Sequence, residues 1–250
     1  MKQFRLASLL SCATLAIYLS SCGGSGSGST TAADSTVKAD TTAKVAAEEP
    51  KKSTIVTTPD NLLVITHKVA NYTKWLAAYE SHDTARVSHG LHNYVIGRGF
   101  KDSNMVMVAL KVDDIEKAKA FGNSPDLKKA MQKSGVMGQP TVKMITETWQ
   151  DTVSLDSKLR SLTTFSVKDW DAWVKAFEDG RQERMDNGIT DRVISHEVGD
   201  NKKVNLVTAV SDTAKAFAYY KSDALKKRRE ASGVVGEPTR FLFWIAKRYP

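Results

Sequence analysis

Two stretches of the chain share one pattern: SGVMGQPT at residues 134–141 and SGVVGEPT at residues 232–239. The second stretch lies 98 residues after the first, and six of the eight positions are identical. The same offset extends outward without a gap, so that Trp75 aligns with Trp173 and Gly90 with Gly188. Similarity over a whole unit at one fixed spacing indicates an internal duplication.

Each copy carries the hydrophobic pattern of the same six elements. Apolar residues at three- to four-residue spacing predict helices, and short apolar runs bounded by turn residues predict strands. Asn71 and its counterpart Asp169 are suited to cap the first helix, and Gly90 to end it. For the first copy, the predicted elements are a strand at 62–69, a helix running to His89, strands at 91–100 and 105–112, a helix from 113 to 134 interrupted near Ser124-Pro125, and a strand at 141–149 after the Gly-Val-x-Gly-x-Pro loop.

The order β-α-β-β-α-β is that of the ferredoxin-like split motif, so the predicted fold class is α+β. One such unit covers only one face of its sheet with helices, and an exposed apolar sheet face would be a liability. Packing two units sheet against sheet removes this liability, and residues 151–157 form a polar connector long enough to permit it. We therefore expect ferredoxin-like repeats at 61–150 and 158–250 to form one compact pseudo-dimer within a monomer.

The region from about residue 61 to residue 250 resembles the dimeric α+β barrel superfamily, which includes antibiotic-biosynthesis monooxygenase-like domains. The resemblance rests on the element order, on Trp75-x3-Tyr79 with its counterpart Trp173-x3-Phe177, and on Gly90 just past the first helix. It implies that the two ferredoxin-like repeats form a pseudo-dimeric α+β barrel, with a ligand cleft between the helices and the sheet of each unit. The superfamily contains cofactor-independent monooxygenases, haem-degrading enzymes, small cyclases and members with no assigned activity, so the resemblance implies a fold rather than one function.

Residues 1–21 have the pattern of a bacterial lipoprotein signal peptide. Lys2 and Arg5 precede an apolar stretch at 6–19 that is too short for a transmembrane helix. The segment Leu19-Ser20-Ser21-Cys22 resembles a lipobox, in which the Cys thiol accepts the lipid. We therefore expect lipidation at Cys22 and a lipid-anchored protein of the cell envelope. No dense acidic run follows Cys22, which favours the periplasmic face of the outer membrane.

Residues 22–60 are rich in Gly, Ser, Thr, Ala and charged residues, and they predict a disordered tether. The chain has only two cysteines, Cys12 in the signal peptide and Cys22, so neither a disulfide nor a thiolate metal site is expected. The net charge is +8, and removal of Lys2 and Arg5 leaves +6. The Lys-Lys-Arg-Arg run at 226–229 is interpreted as a solvated helix face, with an anionic partner as the alternative. Nucleic acid is not an expected partner of an exported protein.

The first helix supplies candidate ligand-binding residues in the first copy. Trp75, Tyr79, His82 and Arg86 share one stripe of that helix, and His67 lies on the preceding strand. A His and an Arg beside two aromatic rings could bind an anionic aromatic ligand or move a proton. The alternative is that Trp75 and Tyr79 belong to the core, while His82 and Arg86 lie at a solvated helix end.

The second copy departs from this set. Gly180 replaces His82, and Phe165 replaces His67. A Gly in a helix interior lowers helix stability by about 1 kcal/mol relative to Ala. Gly180 is therefore interpreted either as sequence drift or as a residue that leaves room for a ligand. The first copy is therefore the better candidate for a live site. The candidate residues that the second copy keeps are Trp173, Phe177 and Arg184.

The Arg shared by both copies, Arg86 and Arg184, is suited equally to a ligand and to a structural role. In the structural interpretation it pairs with Glu80 or Glu178, or with another nearby carboxylate. The sequence leaves both interpretations open.

The histidines do not form a ligand motif. No two have the i, i+4 helical spacing that places two imidazoles on one metal, and no Asp or Glu completes a site. We therefore expect no metal and no cofactor, with haem or metal handling as a minor alternative. The pattern Gly135-x-x-Gly138 lacks the Gly-Lys-Ser/Thr of a phosphate loop, and the chain has no Gly-x-Ser-x-Gly elbow. The histidines are His67, His82, His89 and His92 in the first copy and His196 in the second.

The sequence thus predicts a membrane-tethered periplasmic module of the dimeric α+β barrel type that binds a small aromatic or anionic molecule or is purely structural. No catalytic residue is assigned. The alternative is a cofactor-independent monooxygenase or cyclase-like enzyme, which requires an enclosed cavity that contains a titratable group.

Overall fold

A computed structural model describes residues 53–250. The predicted signal peptide, Cys22 and most of the predicted tether lie outside these residues. The first repeat contains β1 (Ile55–Val56), β2 (Asp60–Val69), α1 (Tyr72–Ser81), α2 (Asp83–Val87), β3 (Leu91–Gly99), β4 (Met105–Val112), α3 (Ile115–Gly122), α4 (Pro125–Lys133) and β5 (Val136–Asp151). The second repeat contains β6 (Leu159–Val167), α5 (Trp170–Asp179), α6 (Arg181–Asp186), β7 (Ile189–Glu197), β8 (Asp200–Val210), α7 (Thr213–Tyr220), α8 (Asp223–Ala231) and β9 (Val234–Arg248).

The strands form one sheet in the order β1-β5-β2-β4-β3-β9-β6-β8-β7, and β5 also pairs with β7. This additional pairing closes β2 to β9 into an eight-stranded antiparallel barrel. The last strand of each repeat crosses to the other repeat, because β5 pairs with β7 and β9 pairs with β3. The predicted pseudo-dimeric α+β barrel is confirmed. Closure gives every strand of the barrel two neighbours and leaves none of these strands as an edge.

Part of the segment predicted as tether is ordered. Ile55 and Val56 pair with Asp151 and Gln150 on β5. The backbone and the hydroxyl of Thr152 both donate to the carbonyl of Thr54, each at 2.8 Å. The first repeat therefore includes residues that precede the predicted boundary at residue 61.

The first helix of each repeat is broken, which the sequence did not predict. In the first repeat, His82 separates α1 from α2 and has φ −93° and ψ 13°. In the second repeat, Gly180 takes the same place with φ −89° and ψ 5°. The predicted interruption of the second helix is present, because the Ser124 hydroxyl caps α4 by accepting from the Leu127 backbone amide.

The Gly-Val-x-Gly-x-Pro segment, predicted as a loop, is instead the first part of β5. Gly135 has φ +80°, a value that lets the chain turn from α4 directly into the strand. Residues 138–140 then bulge between the pairs Thr66–Thr141 and Lys68–Met137. The strand is consequently much longer than the predicted 141–149.

The helices cover the outer face of the barrel and create a cleft in each repeat, whereas side chains from both repeats fill the inside. Trp75 and Phe121 pack with strand residues under the helices of the first repeat. Leu62, Ile145 and Phe243 meet inside the barrel. Within residues 53–250, the places where a ligand cavity could form are therefore the two outer clefts and the barrel interior.

Gly97 on β3 lies so close to Phe243 that an added Cβ would overlap the Phe243 ring. Gly97→Ala is expected to lower the free energy of unfolding by about 1–3 kcal/mol through overpacking. Gly122→Ala is the control, since no atom lies within 4 Å of an added Cβ there. That helical substitution should stabilise the protein by about 0.4–1 kcal/mol. Urea unfolding measures both, and equal effects would contradict the close approach at Gly97.

Candidate functional site

The first repeat has a cavity of about 770 Å³ between its helices and the barrel. Strands β2, β4 and β5 form its floor, and helices α1, α3 and α4 form its walls. This volume lies within the range of pockets that hold drug-sized ligands. Most of the lining is apolar, including Leu63, Ile65, Val108, Leu110, Phe121, Leu127, Val142 and Met144.

His67 on β2 lines this cavity and is only 6% exposed. Neither Nδ1 nor Nε2 has a hydrogen-bond partner among residues 53–250. Burial lowers the pKa of His67 from 6.5 to about 4, so the imidazole is neutral at pH 7. Its ring lies 5.4 Å from that of Trp75, centroid to centroid. Each buried polar atom without a partner costs about 1–3 kcal/mol, a cost that a bound molecule can remove.

Trp75 and Tyr79 form the α1 wall of the cavity. Their rings stack with centroids 5.1 Å apart. The Tyr79 hydroxyl donates to Asn93 Oδ1 at 2.5 Å, and burial raises the pKa of this phenol above its usual value. The Tyr79 hydroxyl is therefore a neutral group already held by the protein, and the ring is an apolar surface for a ligand.

Arg86 is 4% exposed, and the protein itself binds all three of its guanidinium nitrogens. Nε donates to Asn93 Oδ1 at 3.1 Å, Nη1 to the Tyr79 carbonyl at 2.7 Å, and Nη2 to Asp83 Oδ1 at 3.1 Å. The guanidinium also lies 3.8 Å from the centre of the Tyr79 ring. These contacts favour the structural interpretation of Arg86. Each guanidinium nitrogen already has a partner in the protein, and the side chain is buried rather than at a solvated helix end.

Arg184 makes the equivalent contacts in the second repeat. Its Nη1 donates to the Phe177 carbonyl at 2.7 Å, while Nε and Nη2 bind both oxygens of Asp191 at 2.8 and 2.6 Å. At the break between α5 and α6 the Phe177 carbonyl accepts from the Gly180 backbone amide at 3.1 Å, and the guanidinium is its second donor. The proposed partner Glu178 is not used, and in the first repeat Glu80 pairs with Lys247 instead.

His82 is exposed at the rim of the cavity rather than inside it. The helix break at this residue removes it from the continuous stripe that the sequence predicted. The structure thus places His67, Trp75, Tyr79, His82 and Arg86 around one cavity, with His67 as the buried polar group that has no partner among the described residues.

The corresponding cleft of the second repeat is nearly closed, with a free volume of about 80 Å³. Phe165, the counterpart of His67, packs on Trp173 with ring centroids 5.3 Å apart. Trp173, Phe177 and Arg184 lie together at this cleft, but little space is left for a ligand.

Two substitutions between the repeats account for much of this closure. Arg240 and Tyr220 in the second cleft stand where the first repeat has Val142 and Gly122. The Arg240 guanidinium stacks on Tyr220 at 3.5 Å from the ring centre, and its Nε donates to Thr163 Oγ1 at 3.2 Å. These two replacements are visible when the copies are aligned at the 98-residue offset, but we did not use them to predict which cleft is open.

The basic run at 226–229 is only partly a solvated face. Lys226 and Lys227 are exposed. Arg228 and Arg229 line the second cleft, where Arg228 binds Glu183 through Nε at 2.8 Å and burial lowers the pKa of Arg229. Half of the run therefore fills the protein rather than facing an anionic partner.

The described histidines lie apart. His89 Nδ1 contacts the Ala85 carbonyl at 2.8 Å, and His92 Nε2 contacts Asp113 Oδ2 at 2.7 Å. Within residues 53–250, no group of three His, Cys, Asp or Glu side chains is arranged to hold a metal ion. The same residues contain no helix that is both long enough and apolar enough to cross a bilayer.

Charged residues inside the barrel were not predicted either. Glu147, Arg160 and Arg192 are each at most 8% exposed and line the barrel interior. The sequence contains no signal for them until the barrel is known, because strand alternation does not say which face points inward.

Solved structures share this architecture. An anthrone oxidase-like protein superposes with a TM-score of 0.52 at 12% identity over 77% of this chain and 94% of that chain. The fold is a dimeric α+β barrel made by one chain. A heme-binding protein from Thermus thermophilus (TM-score 0.46, 11% identity, 77% and 94% covered) is also similar to it. So is a ferredoxin-fold protein related to antibiotic biosynthesis monooxygenases from Listeria monocytogenes (0.43, 7%, 76% and 97%). No protein-family model and no curated protein matches the sequence of this dimeric α+β barrel.

Proposed function

We propose that this protein binds a small, mainly aromatic molecule in the cleft of the first repeat, with His67 as its polar contact. The single observation that carries the proposal is the neutral imidazole, which lacks a partner among the described residues and lines an apolar cavity of about 770 Å³. The second repeat supports it by contrast, since its counterpart of His67 is Phe165 and its cleft is filled. The second repeat then serves mainly to complete the barrel.

The chemistry of the cavity favours a neutral ligand with one hydroxyl or carbonyl group. An imidazole without a charge can accept a hydrogen bond from a phenol or donate one to a carbonyl, depending on its tautomer. Arg86, the cation expected to bind an anion, is already satisfied by Asn93, Asp83 and the Tyr79 carbonyl. The walls would then contact the flat faces of an aromatic body through Trp75 and Tyr79.

We also propose, from the sequence, that lipidation at Cys22 tethers this module to the cell envelope at the periplasmic face. The Gly/Ser-rich segment that follows would let the barrel move above the membrane surface. Metabolic labelling with a fatty-acid probe, compared between the natural chain and Cys22→Ala, tests this anchor.

Oxygenation without a cofactor is the second candidate function. The His67 imidazole favours it, because it is unprotonated at pH 7 and enclosed, as a base that deprotonates a phenolic substrate would be. A pKa of about 4 also makes His67 a weak base, which limits this chemistry to unusually acidic substrates. Binding without reaction is therefore the better-supported function, and oxygen uptake measured with each ligand that binds separates the two.

A thermal-shift screen of phenols and aryl ketones tests the binding proposal. At one hundred times its Kd, a ligand should stabilise the protein by about 2.7 kcal/mol and raise the Tm by roughly 5–10 °C. His67→Phe, which copies the second repeat, should weaken binding about tenfold by removing one hydrogen bond.

Gly122→Tyr is the matched control for the location of the ligand. It copies Tyr220 of the second repeat and places a side chain where the structure leaves open space. It should abolish binding while His67 stays intact. Ligands that bind both variants as well as the natural protein would show that this cleft is not the site.

A further inference from the structure

The barrel interior contains a second cavity, of about 520 Å³, that the proposed function does not use. Its deep end is apolar and is contributed by both repeats. Leu62, Met107, Ala109, Ile145, Leu162 and Phe243 line that end. The apolar end of a space of this size is suited to a hydrocarbon or aromatic body.

The mouth of this cavity is cationic. Arg160 and Arg192 are 6% and 8% exposed, and the exposed Arg248 lines the same space. Burial and the neighbouring charges of Arg192 and Arg248 lower the pKa of Arg160 to about 10, so it remains a cation at pH 7. Three guanidinium groups therefore line the polar end of a chamber whose other end is apolar.

Within the described part of the chain, the protein leaves the Arg160 cation without a neutralising partner. Arg160 uses only Nη1, which donates to the carbonyls of Ser157 and Leu159 at 2.7 and 3.0 Å. Among residues 53–250, no carboxylate lies within salt-bridge distance of Arg160, and its Nε and Nη2 have no hydrogen-bond partner. Buried charges are ordinarily paired, so this guanidinium is suited to pair with the acid group of a ligand.

Arg192 is only partly paired. Its Nη2 donates to the Val153 carbonyl at 2.7 Å. Its Nη1 lies 3.8 Å from Asp151 Oδ2, too far for a hydrogen bond, and has no partner among the described residues. Asp151 thus provides partial charge balance for one of the three cations and leaves hydrogen-bonding capacity unused.

The connector between the repeats lies across the mouth. Val153, Ser154 and Leu155 line the cavity, and the Arg192 contact to Val153 holds this segment in place. Other charged groups that line the cavity are Glu147, Lys158 and Lys247, of which Lys247 pairs with Glu80. The positive charge of the mouth therefore exceeds its negative charge.

We propose that the barrel interior binds an amphipathic carboxylate, whose acid group pairs with Arg160 and Arg192 and whose apolar body fills the chamber. Arg–carboxylate pairs of this kind are strong and directional. The body could be an alkyl chain, as in a fatty acid, or an aromatic ring system. Both share the same chemistry, and the experiment distinguishes them.

Calorimetric titration of the natural protein with decanoate, 2-naphthoate, decanol and 2-naphthol tests the proposal. At least one carboxylate should bind at least tenfold more tightly than its matched alcohol, and the tighter of the two carboxylates identifies the body. Equal affinity of acid and alcohol, or no binding of either acid, would overturn the proposal.

Arg160→Gln and Arg192→Gln should each weaken carboxylate binding at least tenfold and leave the alcohols unchanged. Arg240→Gln is the control, because it removes a half-buried cation from the second cleft. If an arginine variant unfolds, Ala109→Met decides, since it fills the chamber without touching a charge and should also reduce binding. Binding that responds to Gly122→Tyr in the outer cleft, and not to Ala109→Met, would contradict the assignment.

Discussion

Arg184→Met is expected to lower the free energy of unfolding by about 3–5 kcal/mol, because it leaves a buried carboxylate without its partner. Asp191 accepts both of its hydrogen bonds from Arg184 at 2.8 and 2.6 Å, and the two side chains are 4% and 7% exposed. Arg181 is 3.6 Å from Asp191 but is half exposed, so it compensates only in part. The same change also removes the hydrogen bond from Arg184 to the Phe177 carbonyl, which keeps the Gly180 backbone amide as a donor.

Arg86→Met is the matched comparison in the first repeat. Arg86 binds the neutral Asn93 and the half-exposed Asp83, so its loss leaves no buried charge behind. It should cost about 1–2 kcal/mol, the net contribution of a few hydrogen bonds. Urea unfolding of both variants measures the difference, and equal losses would show that Asp191 is not stabilised mainly by Arg184.

The dependence of stability on pH is expected to reveal two opposing buried groups. The folded pKa of His67 is about 4, below its ordinary 6.5, so protonation favours the unfolded chain and stability falls as pH drops from 6.5 towards 4. The folded pKa of Glu147 is about 7, above its ordinary 4.5, because of burial and the charge of Asp60. Its protonated form favours the folded chain, so stability falls as pH rises from 4.5 towards 7.

Between pH 4.5 and 6.5 the two contributions have opposite slopes of about 1.4 kcal/mol per pH unit and nearly cancel. His67→Phe should therefore expose the Glu147 slope, with stability decreasing as pH rises, over a total of about 3 kcal/mol. Glu147→Gln should expose the His67 slope, with stability increasing over the same range.

Urea unfolding at pH 4.5, 5.5 and 6.5 measures these slopes as differences from the natural protein, so that titration common to all variants is removed. The double variant serves as the control and should behave like the natural protein over this range. Variant slopes of the same sign would mean that one of the two side chains is solvated in the folded state.

The fold was largely predictable because its signals are local and occur twice. Asn71 and Asp169 accept hydrogen bonds from the backbone amides three residues on, as N-caps do. Gly90 has φ +68°, which the turn between α2 and β3 requires. The helix break at His82 has only an indirect signal in the sequence, the aligned Gly180 of the second copy, and the Arg86 side chain that stabilises the break acts from the next turn.

The site was only partly predictable, because the residue pattern of a helix does not show whether the cleft beside it is open or filled. The first helix pattern located Trp75 and Tyr79, but it gave the same weight to Phe177, whose cleft is filled. The unpartnered state of His67 depends on residues from three strands and three helices together. The arginines of the barrel mouth depend on closure between repeats, which involves pairs such as Gly97–Ile245 that are far apart in sequence.

The reciprocal crossing of β5 and β9 also constrains the order of events during synthesis. When residues 53–151 have emerged from the ribosome, β3 and β5 both present unpaired edges, and their partners β7 and β9 do not yet exist. Such edges invite association with other nascent chains. The barrel can close only after Val234–Arg248 has been made, so the synthesis of this one strand determines when the whole chain becomes protected.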